Sequence, residues 1–277
     1  MNNNRIIVLC IVSTMSQVAV GEKEFTVTPV MLDSDNNSGS TIGLKYEIGD
    51  KVNFFEDKNN SEINDGQIVV EEIDTIYGKS GFIKYNLNGV WTVDEDNNPI
   101  STSNARIEGG YGNFQDGYEI EISVFSGLEG NQDYSDRNKI YGLKAGGHYS
   151  FDKNNTGTFI DLSVGYEQVD ASEDEGRKLI TNDDEFDRLS GELQASYKIK
   201  ELGTSKTSVT SLQFNYRYYK EMDASDSVRN SNTDIHKFAT YMIKFNEGLY
   251  AAYSTGTLPF DRQDDKILEI GFSQTLF

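Results

Sequence analysis

Two side chains with clear chemical potential are His148 and Ser150, which are separated by one residue. A histidine that accepts the proton of a serine hydroxyl makes that serine a nucleophile. In an extended strand, residues two apart point to the same side, so both side chains would lie on one face. The sequence therefore contains a candidate hydrolase dyad. Whether it could act as one depends on which face of the strand it occupies and where along the strand it lies.

Two acidic segments, residues 33–37 and 94–98, have the closely spaced carboxylates of a calcium loop. An EF-hand loop also requires Gly at its sixth position and a bidentate Glu at its twelfth. Neither segment has either residue. We therefore expect transient binding of divalent ions at most, and no dedicated metal site or cofactor.

Many charged residues of the chain lie in segments that alternate between apolar and polar side chains. In residues 118–124, 160–167 and 212–218, the even positions are apolar, whereas the odd positions are polar or Gly. This period of two predicts β-strands with one apolar face. No comparable helical periodicity is present, so the segments that position the charges are predicted to be strands throughout.

Composition excludes several classes of protein. The chain has 277 residues, with 45 acidic and 25 basic side chains and a net charge of −20. That charge argues against a nucleic-acid binder, which needs basic surface. A single Cys excludes a disulfide scaffold, and the 12% aromatic content is too high for plain disorder. No apolar run approaches the roughly 18 residues of a membrane-spanning helix.

Long and short connections alternate along the predicted strands. The long connections are 33–40, 57–66, 94–102, 129–138, 170–187, 221–234 and 259–265. The tight turns are Gly49-Asp50, Gly78-Lys79-Ser80, 114–117, 152–157, 200–205 and Asn246-Glu247-Gly248. This pattern predicts fourteen strands, or twelve if residues 50–79 are irregular. An even strand number with alternating connections is typical of membrane barrels. A soluble secreted β-protein remains the alternative.

The N-terminus has the features of an export signal. Residues 1–21 combine a basic start, an apolar run from Ile6 to Met15 and small residues before a predicted cleavage site at Glu22. The mature β-structure is then predicted to cover residues 22–277, without a cysteine. The long connections carry nearly all of the net negative charge, which predicts one acidic rim. Loop 170–187 is hypothesised to fold over this mouth and close it at low pH.

The signal peptide, the alternating strands, the alternating loops and the C-terminal Phe277 resemble those of bacterial outer-membrane porins. In length and strand number the chain is similar to the monomeric fourteen-stranded outer membrane protein G-like porins, with the twelve-stranded oligosaccharide porins next. The resemblance implies an all-β, transmembrane, antiparallel up-and-down barrel in the bacterial outer membrane. It also implies a monomer in contact with lipid and lipopolysaccharide, and recognition of the C-terminal strand by the barrel-assembly machinery. The chain departs from these porins in one respect. By strand alternation, Phe277 would face the opposite side of the last strand from Leu268, Ile270 and Phe272.

In such a barrel the polar face points inward, and the predicted lining of the channel contains seven basic and eight acidic side chains. These are Lys45, Lys84, Arg106, Lys144, Lys198, Arg217 and Lys244, with Glu47, Glu108, Glu119, Glu121, Asp161, Glu167, Glu192 and Glu269. His148 and Ser150 share this inward face and lie near the periplasmic end. A lipid hydrolase would need the opposite face and height, so no catalytic residues are predicted.

These features predict a porin that lets small hydrophilic solutes, such as saccharides and cations, diffuse passively with mild cation selectivity. The alternative is a barrel with a closed lumen whose acidic loops bind surfaces. Side chains fill the interior of barrels of about eight strands, and a larger strand number favours an open lumen. Neither enzymatic activity nor a nucleic-acid partner is expected.

Overall fold

Twelve antiparallel strands form a closed barrel in the part of the chain that the structure describes. The structure is a computed structural model that describes residues 24–35, 40–54, 78–93, 98–100, 102–115, 117–151, 157–199, 209–261 and 265–272. Each strand pairs with its neighbour along the chain, and β1 closes the barrel against β12. Within the described ranges, no helix is long and apolar enough to span a membrane.

The strands are eight to fifteen residues long. They are β1 (Glu24–Ser34), β2 (Thr41–Phe54), β3 (Gly78–Thr92), β4 (Ser103–Gln115), β5 (Tyr118–Gly130), β6 (Arg137–Ser150), β7 (Phe159–Glu173), β8 (Glu185–Lys198), β9 (Val209–Glu221), β10 (Ile235–Phe245), β11 (Leu249–Gly256) and β12 (Asp265–Phe272). Two short helices, α1 (Glu175–Lys178) and α2 (Asp226–Asn230), lie in connections. We call the end at which β1 begins the lower end, and the opposite end the upper end.

The predicted barrel architecture is confirmed, but the predicted strand count of fourteen is wrong, and twelve, the alternative, is correct. Gly49 and Asp50 do not form a turn, because β2 continues through them and pairs with β3 from Gly43 to Phe54. Gly49 lies between two strands, where an added Cβ would be 3.2 Å from the Tyr85 carbonyl oxygen. A glycine that permits close strand approach was therefore mistaken for a turn residue. The predicted strand at 67–77 lies outside the described residues.

The corrected count changes where the connections lie. The chain leaves β2 at Phe54 and enters β3 at Gly78, and both positions are at the lower end. The predicted loop 57–66 therefore belongs to a connection that starts and ends at the lower end. Residues 55–77 contain seven acidic and one basic side chain. The prediction that one rim carries nearly all of the acidity is therefore wrong, because acidic connections join the strands at both ends.

The outer surface of the barrel is apolar. Along β5, Ile120, Ile122 and Val124 are 57%, 65% and 59% exposed, and the same face of every other strand contributes exposed apolar residues. Aromatic residues lie near both ends of this surface: Trp91, Tyr141 and Tyr166 at the upper end, and Tyr149, Phe151 and Tyr197 at the lower end. A continuous apolar band between aromatic girdles is the surface that a lipid bilayer requires.

Inside the barrel, several aromatic rings lie over a glycine that is directly opposite in the neighbouring strand. The inward pairs are Phe82–Gly110, Phe125–Gly142 and Tyr250–Gly271, and Tyr46–Gly89 repeats the arrangement outside. A Cβ at position 142 would be 2.7 Å from Cζ of Phe125 and 2.4 Å from the Tyr166 carbonyl oxygen. We call these aromatic–glycine pairs, and in each one the missing side chain lets the ring lie against the barrel wall.

Candidate functional site

Contacts between strands that are not neighbours identify the interior face. Lys51 on β2 donates a hydrogen bond of 2.6 Å to Glu119 on β5. Arg106 on β4 and Glu167 on β7 approach to 3.6 Å. Such contacts can form only across the lumen, because the intervening strands separate these residues along the wall. Strand alternation and pairing then place all fifteen predicted inward residues on the interior side, although their role as a channel lining remains a prediction.

The lower part of the interior contains an accessible charged cluster. Lys51 contacts both Glu119 and Glu121, and these three side chains remain 21–25% exposed. Nearby, His148 Nδ1 lies 2.6 Å from Asp161 Oδ1. His148 therefore points inward at the lower end, as predicted, and its hydrogen-bond partner is a carboxylate.

Charged groups continue through the middle of the interior. Lys144 lies 3.6 Å from Glu108, which accepts a hydrogen bond of 2.6 Å from the Ser123 hydroxyl. Arg217 donates to Glu192 at 3.1 Å. The side chains of Lys144, Arg217 and Glu192 are 24%, 30% and 40% exposed although they face the inside of the barrel. The middle of the lumen therefore has space that water can reach.

Above this region, a fully buried ion-pair network crosses the lumen. Arg188 on β8 donates to both carboxylate oxygens of Glu129 on β5, at 2.8 and 3.1 Å. It also donates to Glu167 at 2.8 Å through Nε, and Ser190 donates to the other oxygen of Glu167. We call Arg188, Glu129 and Glu167 the Arg188 layer. Its side chains are at most 3% exposed, so little space remains around them.

The interior also contains an apolar cluster, whereas the alternation predicts an inward face that is polar throughout. The cluster comprises Val30, Leu32, Val90, Phe238, Tyr250, Ala252, Leu258 and Ile267. Strands as distant as β3 and β10 can share a cluster only through the interior. The sequence indicates this cluster at Val90 and in β1, where Val30 and Leu32 on the inward face are as apolar as Met31 on the outward face. The cluster fills one side of the lumen.

A carboxylate lies at the border between the apolar cluster and the charged side. Glu269 is 1% exposed, and its oxygens accept hydrogen bonds of 3.1 and 3.4 Å from Lys45. The Tyr250 hydroxyl, at the edge of the apolar cluster, also donates to Glu269. These bonds satisfy the buried charge and fix the position of Lys45 on the lumen side.

Two cavities lie on opposite sides of the Arg188 layer. The smaller, of about 40 Å³, is in the lumen and is lined by Arg106, Lys144 and Glu192, among others. The larger, of about 330 Å³, is at the upper mouth, and we call it the mouth cavity. Tyr219 lines both cavities, and Arg188 forms part of the floor of the mouth cavity.

The connection between β7 and β8 covers part of the mouth cavity. Its Arg177 forms a bidentate ion pair with Glu221 on β9, at 2.8 and 3.0 Å. The same guanidinium lies 3.9 Å from the centre of the Phe186 ring. Asp174 accepts a hydrogen bond from the Arg177 backbone N–H and caps α1. The acidic loop predicted to fold over the mouth is therefore fixed there by a buried arginine.

Three further predicted site residues also face the interior. Glu47, Lys198 and Lys244 face inward by alternation, and Glu47 lies near Arg217. The two calcium-like segments fall largely on residues outside the described ranges. Among the described residues, no group of three or more His, Cys, Asp or Glu side chains is arranged to hold a metal ion.

Comparison with known proteins gives matches only to solved structures. No protein-family model matches the chain, and no curated protein sequence matches it. A KdgM porin structure has 10% sequence identity and a TM-score of 0.37, covering 91% of this chain and 99% of that chain. OmpT of Vibrio cholerae has 10% identity and a TM-score of 0.41, covering 95% and 100%. Salmonella typhi OmpF in complex with daunomycin has 9% identity and a TM-score of 0.42, covering 92% and 97%.

Proposed function

We propose that this protein is an outer-membrane channel through which small hydrophilic solutes diffuse passively, with a preference for cations. The observation that carries the proposal is the contrast between the two faces of the barrel. The outside is an exposed apolar band, whereas the charged side chains in the lower and middle lumen, such as Lys51, Lys144 and Glu192, are 21–40% exposed. A lipid-facing exterior around a hydrated, charged interior is the arrangement of a water-filled barrel channel.

The interior also supports a narrow channel. The Arg188 layer and the apolar cluster occupy much of the upper lumen, so the free cross-section is smaller than the strand number alone suggests. Both signs of charge lie on the interior face, which favours hydrated solutes over apolar ones. Small ions and small polar solutes are therefore the best candidates for passage.

Cation preference follows from the acidic excess in the connections at both ends. Negative charges at an entrance raise the local concentration of cations and lower that of anions. The measurement is the reversal potential of the purified protein in planar lipid bilayers under a potassium chloride gradient. We expect a cation-selective potential, and a clear anion preference would contradict the proposal.

A matched pair of variants measures what a lumen charge adds to the selectivity that the acidic connections produce. Glu47 faces inward and is exposed, so Glu47→Gln should reduce the cation preference. Asp187→Asn removes a carboxylate from the outer face, where Asp187 accepts a hydrogen bond from the Tyr166 hydroxyl, and should reduce the preference less. Equal effects of the two substitutions would argue against passage along the charged interior.

The second candidate is a closed barrel whose loops bind a surface. The fully buried Arg188 layer favours it, because that network crosses the upper lumen without accessible space around its charges. The two candidates differ in conductance. Folded protein that inserts into bilayers but carries no current would establish the closed barrel.

A further inference from the structure

The mouth cavity is a well-defined pocket, and the proposed channel function does not require it. Its volume of about 330 Å³ is at the lower end of the roughly 300–1,000 Å³ typical of small-molecule sites. Its walls come from four connections and the upper ends of the strands, and they combine carboxylates with apolar groups. A small ligand with one polar end and one apolar end would match such a wall.

The carboxylates of the mouth cavity exceed its cations. Both cations in the wall are already neutralised: Arg177 by Glu221, and Arg188 by Glu129 and Glu167 together. Asp136, Asp174 and Asp234 also line the cavity. The two arginines therefore do not balance the negative charge of these three aspartates, which line the cavity.

One carboxyl group shows the effect of this surplus. Burial raises the pKa of the Asp174 carboxyl, and the nearby Asp136 carboxylate raises it further, against the lowering effect of the backbone hydrogen bond from Arg177. A raised pKa means that the negative charge of Asp174 is insufficiently compensated. A cation in the cavity would supply that compensation.

A buried amide provides an independent indication of a ligand. Asn138 lines the mouth cavity and is only 4% exposed. Its Oδ1 has no hydrogen-bond partner in the part of the chain that the structure describes. Because an unsatisfied buried acceptor costs free energy, such a group at a cavity points to a missing donor. Asn138 Oδ1 and the carboxylates together form a set of acceptors.

The opposite part of the wall is apolar. Ile180, Val228 and Phe260 line the cavity, and Val228 is 1% exposed. Aromatic faces in this wall already attract cations, since the guanidiniums of Arg177 and Arg188 lie over Phe186 and Tyr219 at 3.9 and 4.8 Å. The wall thus favours a hydrocarbon group that carries a positive charge.

From these observations we propose that the mouth cavity is a binding site for small organic ammonium ions. The ammonium group donates hydrogen bonds to Asp136, Asp174 and Asn138, and the hydrocarbon part packs against Val228 and Phe260. An ammonium group has three donors and no acceptor, which suits a set of acceptors better than a hydroxyl does. The site does not depend on whether the lumen conducts.

The test measures binding to the full-length folded barrel in detergent micelles by isothermal titration calorimetry. Benzylamine and benzyl alcohol are the probes, because they share a ring and differ in the charge of the donor group. We expect benzylamine to bind at least tenfold more tightly than benzyl alcohol. Equal binding of the two probes, or no binding of benzylamine, would overturn the proposal, whereas a failed conductance measurement would not affect it.

Variants identify the acceptors. Asp136→Asn combined with Asp174→Asn should weaken benzylamine binding about tenfold, which corresponds to about 1.4 kcal/mol. Asn also caps helices well, so the double variant keeps the start of α1. Asp187→Asn, on the outer face, is the control and should leave the affinity unchanged. An unchanged affinity in the double variant would also overturn the proposal.

Discussion

Replacing Arg188 by Met tests whether the network across the upper lumen is a charge-balanced unit. The substitution removes the cation that pairs with Glu129 and that shares Glu167 with Arg106, and the side chains of Glu129 and Glu167 are 2% and 1% exposed. Breaking a buried pair by removing one partner typically costs about 3–5 kcal/mol, because the remaining charge stays buried. We expect a loss of this size in the free energy of unfolding.

The assay is equilibrium unfolding in urea of the protein in lipid vesicles, followed by fluorescence of Trp91, the single tryptophan of the chain. Trp91 lies on the outer face and is 46% exposed, so unfolding removes it from the lipid and changes its emission. Because the Trp91 side chain is on the outside of the barrel and Arg188 is on the inside, the substitution itself should not alter the emission of the folded protein.

A triple variant separates the loss of charge balance from the loss of packing. Arg188→Met combined with Glu129→Gln and Glu167→Gln removes all three charges and keeps similar volumes. Replacing a complete buried network by neutral groups is often close to neutral in stability. The triple variant should therefore recover most of the loss. A cost below about 1 kcal/mol for Arg188→Met alone, or no recovery in the triple variant, would refute the reasoning.

Two further predictions concern packing and lumen width. Gly142→Ala should destabilise the barrel by about 1–3 kcal/mol in the same urea assay, because the new methyl group would collide with the Tyr166 carbonyl oxygen and with the Phe125 ring. Gly109→Ala is the control, since its nearest atom would be 4.0 Å away, and an equal cost would contradict the argument. Arg188→Ala combined with Glu129→Ala should increase single-channel conductance, because it shortens side chains at the narrow level. Unchanged conductance would place the constriction elsewhere.

The period-two alternation predicted strands with one apolar and one polar face, because strand geometry makes every second residue share a side, whatever the partner strand. The alternation of long and short connections was also needed to predict that these strands form a membrane barrel. The strand count was not predictable from local signals. Gly49-Asp50 resembles a turn, and only the pairing of β2 with both β1 and β3 shows that the strand continues.

Which charged residues form ion pairs with each other also could not be predicted from the sequence. Arg188 and Glu129 are separated by 59 residues and by the two strands β6 and β7, so their contact depends on the curvature of the closed barrel. The same applies to Leu258, which a connection brings into the apolar cluster. Local patterns fix the face of a residue, whereas barrel closure decides which residues meet across the lumen.

The aromatic–glycine pairs have a consequence for how such an interior can change over evolution. In each pair, the ring occupies the volume that a side chain on the opposite strand would need. A larger residue in place of Gly271 is therefore compatible with the fold only if Tyr250 becomes smaller, because the three atoms nearest to the added Cβ belong to that side chain. At Gly142 and Gly110 the added Cβ would also lie 2.4 Å from a backbone carbonyl oxygen, so a smaller ring would not make enough room. In homologous barrels, positions 250 and 271 are expected to covary, whereas positions 110 and 142 are expected to remain glycine.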